Sequence, residues 1–427
     1  MVENMKIKNE FMNKILLLLT GNSLAQLILF ASSPILTRIY TPEDFGVFST
    51  YTSLLAILMS FASLCLEKAI PLEKNHSNTV HLMYISMFTI AVVCILNIGL
   101  GFLNLSLFRL YGIETSIMND FLLSIGLFFA GIYQVMSYWM LKEDKFKGLT
   151  HSKLLQSISN VISQFSLISI NHQGIGLIAG DMIGRGITLV YIWRYFLKRM
   201  HWPKVNYRRI GYLLKKYEKF AKYSTWSTLL SSLSMQIIFL LLMRLYGPDV
   251  TGHFSMATKT IGLPISLLGA SISTVFYAEV AKSISNEPGR VLHLYKSIIT
   301  KTAMLGVPIM VILAWMAPGL FSFVFGGEWR VSGEYVTLMS FMFLSQVIVM
   351  PVSQILFLIK KQRTQLLWDV SRLLLSSIGV LVIFISGGSA ETAILYFSIC
   401  MGASYYFFAL LGYRAIHSID REDNLKK

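Results

Sequence analysis

Arg38-Ile-Tyr-Thr-Pro-Glu-Asp-Phe-Gly-Val-Phe-Ser49 returns 206 residues later as Arg244-Leu-Tyr-Gly-Pro-Asp-Val-Thr-Gly-His-Phe-Ser255. Arg, Tyr, Pro, Gly, Phe and Ser stay in register between the copies. The ungapped match runs from Leu27 to Ser60 and from Leu233 to Ser266, adding Leu27/Leu233, Leu36/Leu242, Thr52/Thr258 and Ser60/Ser266. Each copy joins two apolar stretches, so both halves of the chain start alike. An internal repeat of this size in an apolar chain predicts two related helical bundles of the transporter kind.

The rest of the composition agrees. Of the 427 residues, 54% are hydrophobic and 14% charged, with a mean hydropathy of +0.60, too apolar for a water-soluble fold. A membrane-spanning helix needs roughly 20 mostly apolar residues. Such stretches fall at 13–36, 46–66, 82–103, 120–141, 153–170, 174–195, 223–245, 252–277, 298–318, 334–359, 365–386 and 391–413. The predicted fold is therefore all-α and polytopic, with twelve transmembrane helices in two six-helix bundles. Residues 1–196 form the first bundle, 197–222 a cytoplasmic basic linker and 223–427 the second bundle. Each bundle has an even number of spans, which makes the repeats parallel about a pseudo-two-fold axis along the membrane normal.

The net charge of +15 could suggest nucleic acid, but its distribution argues for membrane topology. Nearly all Lys and Arg fall in alternate loops, among them Lys142, Lys145, Lys147 and Lys153, and the run from Lys198 to Lys222. The opposite loops hold only Arg38, Arg109, Arg244 and Arg330. Both termini are then cytoplasmic. The first apolar stretch is read as a retained span rather than a leader, because the repeat includes it. Cys65, Cys94 and Cys400 fall inside apolar spans and imply neither metal nor disulfide. Within the linker, Ile210, Leu213, Leu214, Tyr217 and Phe220 recur at helical spacing beside Arg208, Arg209, Lys215, Lys216, Lys219 and Lys222. That pattern fits an amphipathic helix on anionic headgroups, or a solvated charged linker.

Charges inside spans point to a site, because each costs roughly 2.5–3.5 kcal/mol at mid-bilayer unless paired or hydrated. Asp181 and Arg185 are spaced i, i+4, and Asp369 and Arg372 i, i+3, so each pair either braces its own helix or faces a cavity. Arg38, Arg244 and Lys259 lack an acid within a turn of their own span. A planar guanidinium suits phosphate oxygens, and a symmetric arginine pair could hold a diphosphate; snorkelling to the outer interface is the alternative. Glu67 adds an acid near a span end. The candidate substrate-binding set is Arg38, Arg244, Lys259, Arg185 and Arg372, with Glu67, Asp181, Asp369, Asn22, Gln26 and Gln236 as coupling or cavity-lining polar groups.

The first span is polar around Asn22 and Gln26, and the seventh is rich in Ser, Thr and Gln236. Both faces either line a cavity that bonds sugar hydroxyls or pack closely through small residues. Gly262, Pro264, Pro308 and Pro351 are candidate hinges or static kinks. His253 is a candidate proton sensor. No metal-ligand cluster, nucleotide loop or nucleophile-base arrangement is visible, so an enzyme is not expected.

Several blocks resemble the polysaccharide-biosynthesis flippase family, which includes O-antigen translocases and belongs to the multidrug/oligosaccharidyl-lipid/polysaccharide exporter superfamily. They are Leu36-Thr-Arg-Ile-Tyr-Thr-Pro-Glu-Asp-Phe-Gly46, Leu66-Glu-Lys-Ala-Ile-Pro71, Gly180-Asp-Met-Ile-Gly-Arg185, Phe220-Ala-Lys-Tyr-Ser-Thr225 through Gln236, Tyr246-Gly-Pro-Asp249 with Gly252, Leu263-Pro264 to Val275-Phe-Tyr277, and Phe325-Gly-Gly-Glu-Trp-Arg330. Ala221 departs from the Pro the family often carries there. The resemblance implies a bacterial inner-membrane flippase that moves an undecaprenyl-diphosphate-linked oligosaccharide from the cytoplasmic to the periplasmic leaflet. It also implies alternating access, coupling to protons or sodium, and other polysaccharide assembly proteins as partners. Arg38, Glu67, Asp181, Arg185 and Arg244 fall on the family's cationic cavity by motif. The alternatives are a multidrug antiporter of the same fold and a membrane glycan polymerase or glycosyltransferase.

Overall fold

A computed structural model describes residues 2–113, 117–168, 174–197, 204–283, 288–359 and 361–426. The chain forms two compact units, Met1–Asp249 and Val250–Lys427. The first holds α1 (Val2–Leu36), α2 (Pro42–Ala62), a 3-10 turn (Leu66–Leu72), α3 (His76–Phe102), α4 (Leu107–Leu110), α5 (Ile117–Lys142), α6 (Phe146–Ser166), α7 (Ile175–Leu197), α8 (Tyr207–Lys216), a π-helical turn (Phe220–Ser224) and α9 (Thr225–Tyr246). The second holds nearly all of α10 (Pro248–Ser283), then α11 (Pro288–Phe325), α12 (Arg330–Leu338), α13 (Ser340–Val349), α14 (Ile355–Leu358), α15 (Gln362–Ile385) and α16 (Ala390–Lys426).

Among the described residues, ten helices are long and apolar enough to cross a bilayer. Their outer surfaces suit lipid: Phe88 and Phe102 on α3, and Trp315 and Phe323 on α11, are all at least two-thirds exposed. Helices satisfy their own backbone groups, the condition for crossing hydrocarbon. The fifth predicted stretch corresponds to α6, which is long enough but more polar. Its Ser152, Ser157, Asn160, Ser163 and Gln164 are buried, because that face of α6 packs on α1 and α7.

Both copies of the repeat signature are helix-turn-helix joints. Pro42 opens α2 and Pro248 opens α10, where a missing N–H costs nothing. Thr41 and Asp44 close a reciprocal cap at the start of α2, at 3.3 and 3.1 Å. In the second copy Gly247 supplies a φ of +92° after α9, a conformation that favours glycine. Tyr40 is buried, and its hydroxyl donates to the Gln164 carbonyl at 2.7 Å, tying the first joint to α6.

On α7, Gly176, Gly180 and Gly184 form a stripe at four-residue spacing. A Cβ on Gly180 would lie 2.5 Å from Gln164 Cγ, and one on Gly184 would lie 1.7 Å from Asn160 Oδ1. Small residues at this interval let the two helix backbones approach closely.

In the second unit, α10 runs unbroken through Pro264 and α11 through Pro308. The predicted tenth span corresponds to the helical stretch Ser340–Leu358, in which Pro351 sits in a 3-10 turn between α13 and α14. Gly262 lies in α10 near Pro264. His253 is buried, with Nδ1 3.0 Å from Ser332 Oγ and its ring edge-on to Trp329 and Tyr335.

The linker helix packs one face on the first unit. Leu213 and Tyr217 are buried in the core of the first unit, and Ile210 and Phe220 pack against it. Most of the apolar stripe therefore meets protein, while Leu214 stays exposed. Asn206 caps α8 through its side chain, and its backbone N–H donates to His81 Nε2 at 3.1 Å. Arg209 bonds Ser77, and Lys216 and Tyr217 both bond Glu73. What α8 leaves outward includes Tyr207, Arg208, Tyr212, Leu214 and Lys215.

Candidate functional site

Two adjoining cavities lie in the first unit, each of about 460 Å³. Ala56 and Met59 of α2 and Gln134 of α5 belong to the walls of both. α2 supplies walls to both because it packs against α3, α5, α7 and α9.

The first cavity is cationic. Lys153 and Arg185 line it together with Tyr133, Gln156 and apolar groups such as Leu55 and Leu149. Arg185 Nε donates to Asp181 Oδ2 at 2.6 Å. Asp181 also accepts from Asn160 Nδ2 at 3.0 Å and from the Tyr51 hydroxyl at 3.4 Å. These bonds hold the buried carboxylate as a counter-charge to Arg185. Lys153 donates instead to Asn22 Oδ1 at 2.5 Å, a neutral partner that orients the ammonium without cancelling its charge.

The second cavity is hydroxyl-rich. Ser60, Thr228, Ser231, Ser232, Gln134 and Gln236 line it with Cys65, Glu67 and Lys68. Glu67 is buried and accepts from Ser63 Oγ at 2.5 Å and Gln134 Nε2 at 2.9 Å. Lys68 Nζ donates to Thr228 Oγ1 at 3.1 Å. Gln236 accepts from Ser53 Oγ at 3.1 Å, and Ser232 donates to the Ala56 carbonyl at 3.2 Å, so α9 is bonded to α2 along the cavity wall.

The sequence candidates separate on this geometry. Arg185, Glu67 and Gln236 line the cavities, and Asp181 and Asn22 hold lining residues in place. Arg38, in the α1–α2 turn, and Arg244, in the last turn of α9, are exposed and line neither cavity; Arg244 lies beside Gly112. Gln26 is exposed on α1. Lys259 is exposed on α10. Arg372 is 3% exposed, bonded to Asp369 at 3.2 Å, with its guanidinium 4.4 Å from the Trp368 ring centre. That pair and its cation-π contact brace the second unit.

Lys153, Lys68 and Gln134 were not among the candidates. Lys153 looks like a loop charge when its span is started at residue 153, but α6 begins at Phe146. The ammonium therefore sits two turns inside the helix. The polar spacing Ser152, Gln156, Asn160 and Ser163 was the available signal. Among the described residues, no three His, Cys, Asp or Glu side chains gather as a metal site requires.

The fold and this interior define a polytopic all-α membrane protein. Residues 35–334 match the family described as polysaccharide biosynthesis protein, and the chain belongs to that family. The fold is shared with a lipid II flippase, MurJ, in an inward closed conformation, at TM-score 0.74 and 15% identity over 95% of this chain and 90% of that one. It is shared with an inward-facing multidrug resistance MATE transporter of the MOP superfamily, at TM-score 0.67 and 16% identity over 93% and 96%. A MOP superfamily transporter from Pyrococcus furiosus aligns at TM-score 0.56 and 15% identity over 94% and 96%. No curated protein sequence matches the chain.

Proposed function

We propose that this protein is a flippase that carries an undecaprenyl-diphosphate-linked oligosaccharide from the cytoplasmic to the periplasmic leaflet by alternating access. The observation that carries the reading is the first cavity, where Lys153 keeps an uncancelled charge beside the Arg185–Asp181 pair inside a membrane protein of the polysaccharide biosynthesis family. A diphosphate is the group of such a substrate that calls for fixed cations, and the neighbouring hydroxyls and amides suit sugar. The polyprenyl tail stays in lipid. The working division is two lobes, 1–196 and 223–427, joined by the cytoplasmic linker 197–222 in the inner membrane, with both termini inside and transport coupled to protons or sodium. Hinges at Gly262, Pro264, Pro308 and Pro351 belong to the same proposal; Arg38, Arg244 and Lys259 act outside the first cavity rather than at the bound diphosphate, and Arg372 with Asp369 braces its own helix.

A multidrug antiporter is the rival reading, since the fold is shared. Cationic walls repel cationic drugs, which supports the anionic substrate instead. The test is reconstitution: liposomes containing the protein should translocate a fluorescent lipid-diphosphate glycan faster than empty liposomes. K153Q should lower that rate at least tenfold while the protein remains folded. Equal rates in loaded and empty liposomes overturn the reading.

A further inference from the structure

The two cavities share a wall but differ in charge. Behind the first, Asp181 offsets Arg185 and leaves Lys153 in excess. In the second, Lys68 and Glu67 offset each other, and the remaining polar lining is Ser60, Thr228, Ser231, Ser232, Gln134 and Gln236. A phosphate would meet the Glu67 carboxyl group there, which already accepts from the Ser63 and Gln134 donors. Like charges at such range repel strongly where water is scarce.

An uncharged polyhydroxy ring meets no such penalty. Its hydroxyls can donate to the free lone pairs of Glu67 and accept from Lys68, which spends one of its three N–H donors on Thr228. The volume of about 460 Å³ falls within the roughly 300–1,000 Å³ of small-ligand clefts. Ser231, on the exposed face of α9, points the site toward the end where α2 finishes and α9 begins.

We propose that the second cavity is a subsite for an uncharged sugar ring, the one attached to the diphosphate held in the first cavity, with Gln134 on the wall between them. The inference rests on the flippase reading and adds the chemical class of the first sugar. Because the sugar compartment is neutral overall, a hexuronate in that position is disfavoured by Glu67.

The experiment measures binding to purified full-length protein in nanodiscs with three probes: undecaprenyl diphosphate, the same lipid carrying one neutral hexose, and the same lipid carrying one hexuronate. One or two added hydrogen bonds at about 1 kcal/mol each predict that the neutral hexose tightens binding by roughly tenfold over the bare lipid. The hexuronate gives no gain. S231V and K68Q, tested separately so that a folding defect in one does not decide the matter, remove the hexose gain but keep the bare-lipid affinity. K153Q weakens all three probes alike. A hexose that adds no affinity, or a hexuronate that adds as much, overturns the sugar subsite while leaving the flippase reading intact. Bare lipid diphosphate binding no better than undecaprenol overturns both.

Discussion

Gln134 donates its side-chain amide to Glu67 Oε1 at 2.9 Å while forming part of the wall of both cavities. One hydrogen bond thus fixes the partition between the cationic and the hydroxyl-rich compartments. Replacing Gln134 by Ala leaves Glu67 with only the Ser63 donor, at an expected cost of about 1–3 kcal/mol. Q134E should be worse than Q134A, because it sets two carboxyl groups against each other and removes the amide donor. Thermal unfolding of the purified variants checks this; equal melting temperatures for Q134A and Q134E would contradict it.

The linker is latched by Glu73. Burial pushes its carboxyl up, but hydrogen bonds from Lys216, Tyr217 and Asn78 outweigh that and hold it below the ordinary carboxylate value. Glu73 in turn holds the Lys216 ammonium above its usual range. A depressed carboxyl contributes stability that is complete above its unfolded value and is lost as pH falls through the folded one. A spin-label pair across α3 and α8 should therefore report a fixed distance at neutral pH and a broadened one in acid. E73Q should broaden it at neutral pH; an unchanged distance distribution in E73Q would exclude the latch.

His81 adds a second contact with α8 and must be neutral to make it. Nδ1 lies 2.6 Å from the Ser77 carbonyl and so carries the proton, while Nε2 accepts from the Asn206 N–H at 3.1 Å. Tyr84 stands edge-on to the ring, and Arg209 bonds the Ser77 hydroxyl. H81L should destabilise by about 0.5–1.5 kcal/mol by removing the acceptor of the Asn206 N–H, while the Ser77 carbonyl keeps its helical partner within α3. H81Q keeps an amide acceptor toward Asn206 and should recover part of the loss. Denaturation midpoints that rank H81Q below H81L would reject this tautomer.

Gly184 controls the Asp181 cluster by contact. A Cβ there would lie 1.7 Å from Asn160 Oδ1 and 2.7 Å from the Asn160 backbone N. G184A should thus separate α6 from α7 and cost about 1–3 kcal/mol by overpacking. Because Asn160 bonds Asp181 and Asp181 bonds Arg185, the variant should also weaken binding of undecaprenyl diphosphate. Wild-type stability together with wild-type affinity would show that the helices tolerate the added methyl.

Arg38 and Arg244 separate two locations for the diphosphate. Both are exposed outside the cavities, so R38A/R244A should change the affinity for undecaprenyl diphosphate by less than about twofold, whereas K153Q lowers it clearly. A loss in the double variant as large as in K153Q would move the anion site to the helix ends.

The sequence alone determined the helical membrane architecture, the duplicated joint and the Asp181–Arg185 pair, because hydropathy, Pro and Gly placement and i, i+4 spacing act within a few residues of one helix. Only the tertiary structure decided which charges share a space. Lys153 of α6 meets Arg185 of α7, and Gln134 of α5 meets Glu67 of the turn after α2, because helix packing angles and the glycine-allowed approach of α6 to α7 bring together groups distant along the chain. It also decided that Ile210, Leu213, Tyr217 and Phe220 of the linker's apolar stripe pack on the first unit. An amphipathic pattern specifies that a face is buried, but the partner that buries it is fixed by contacts such as Glu73–Tyr217.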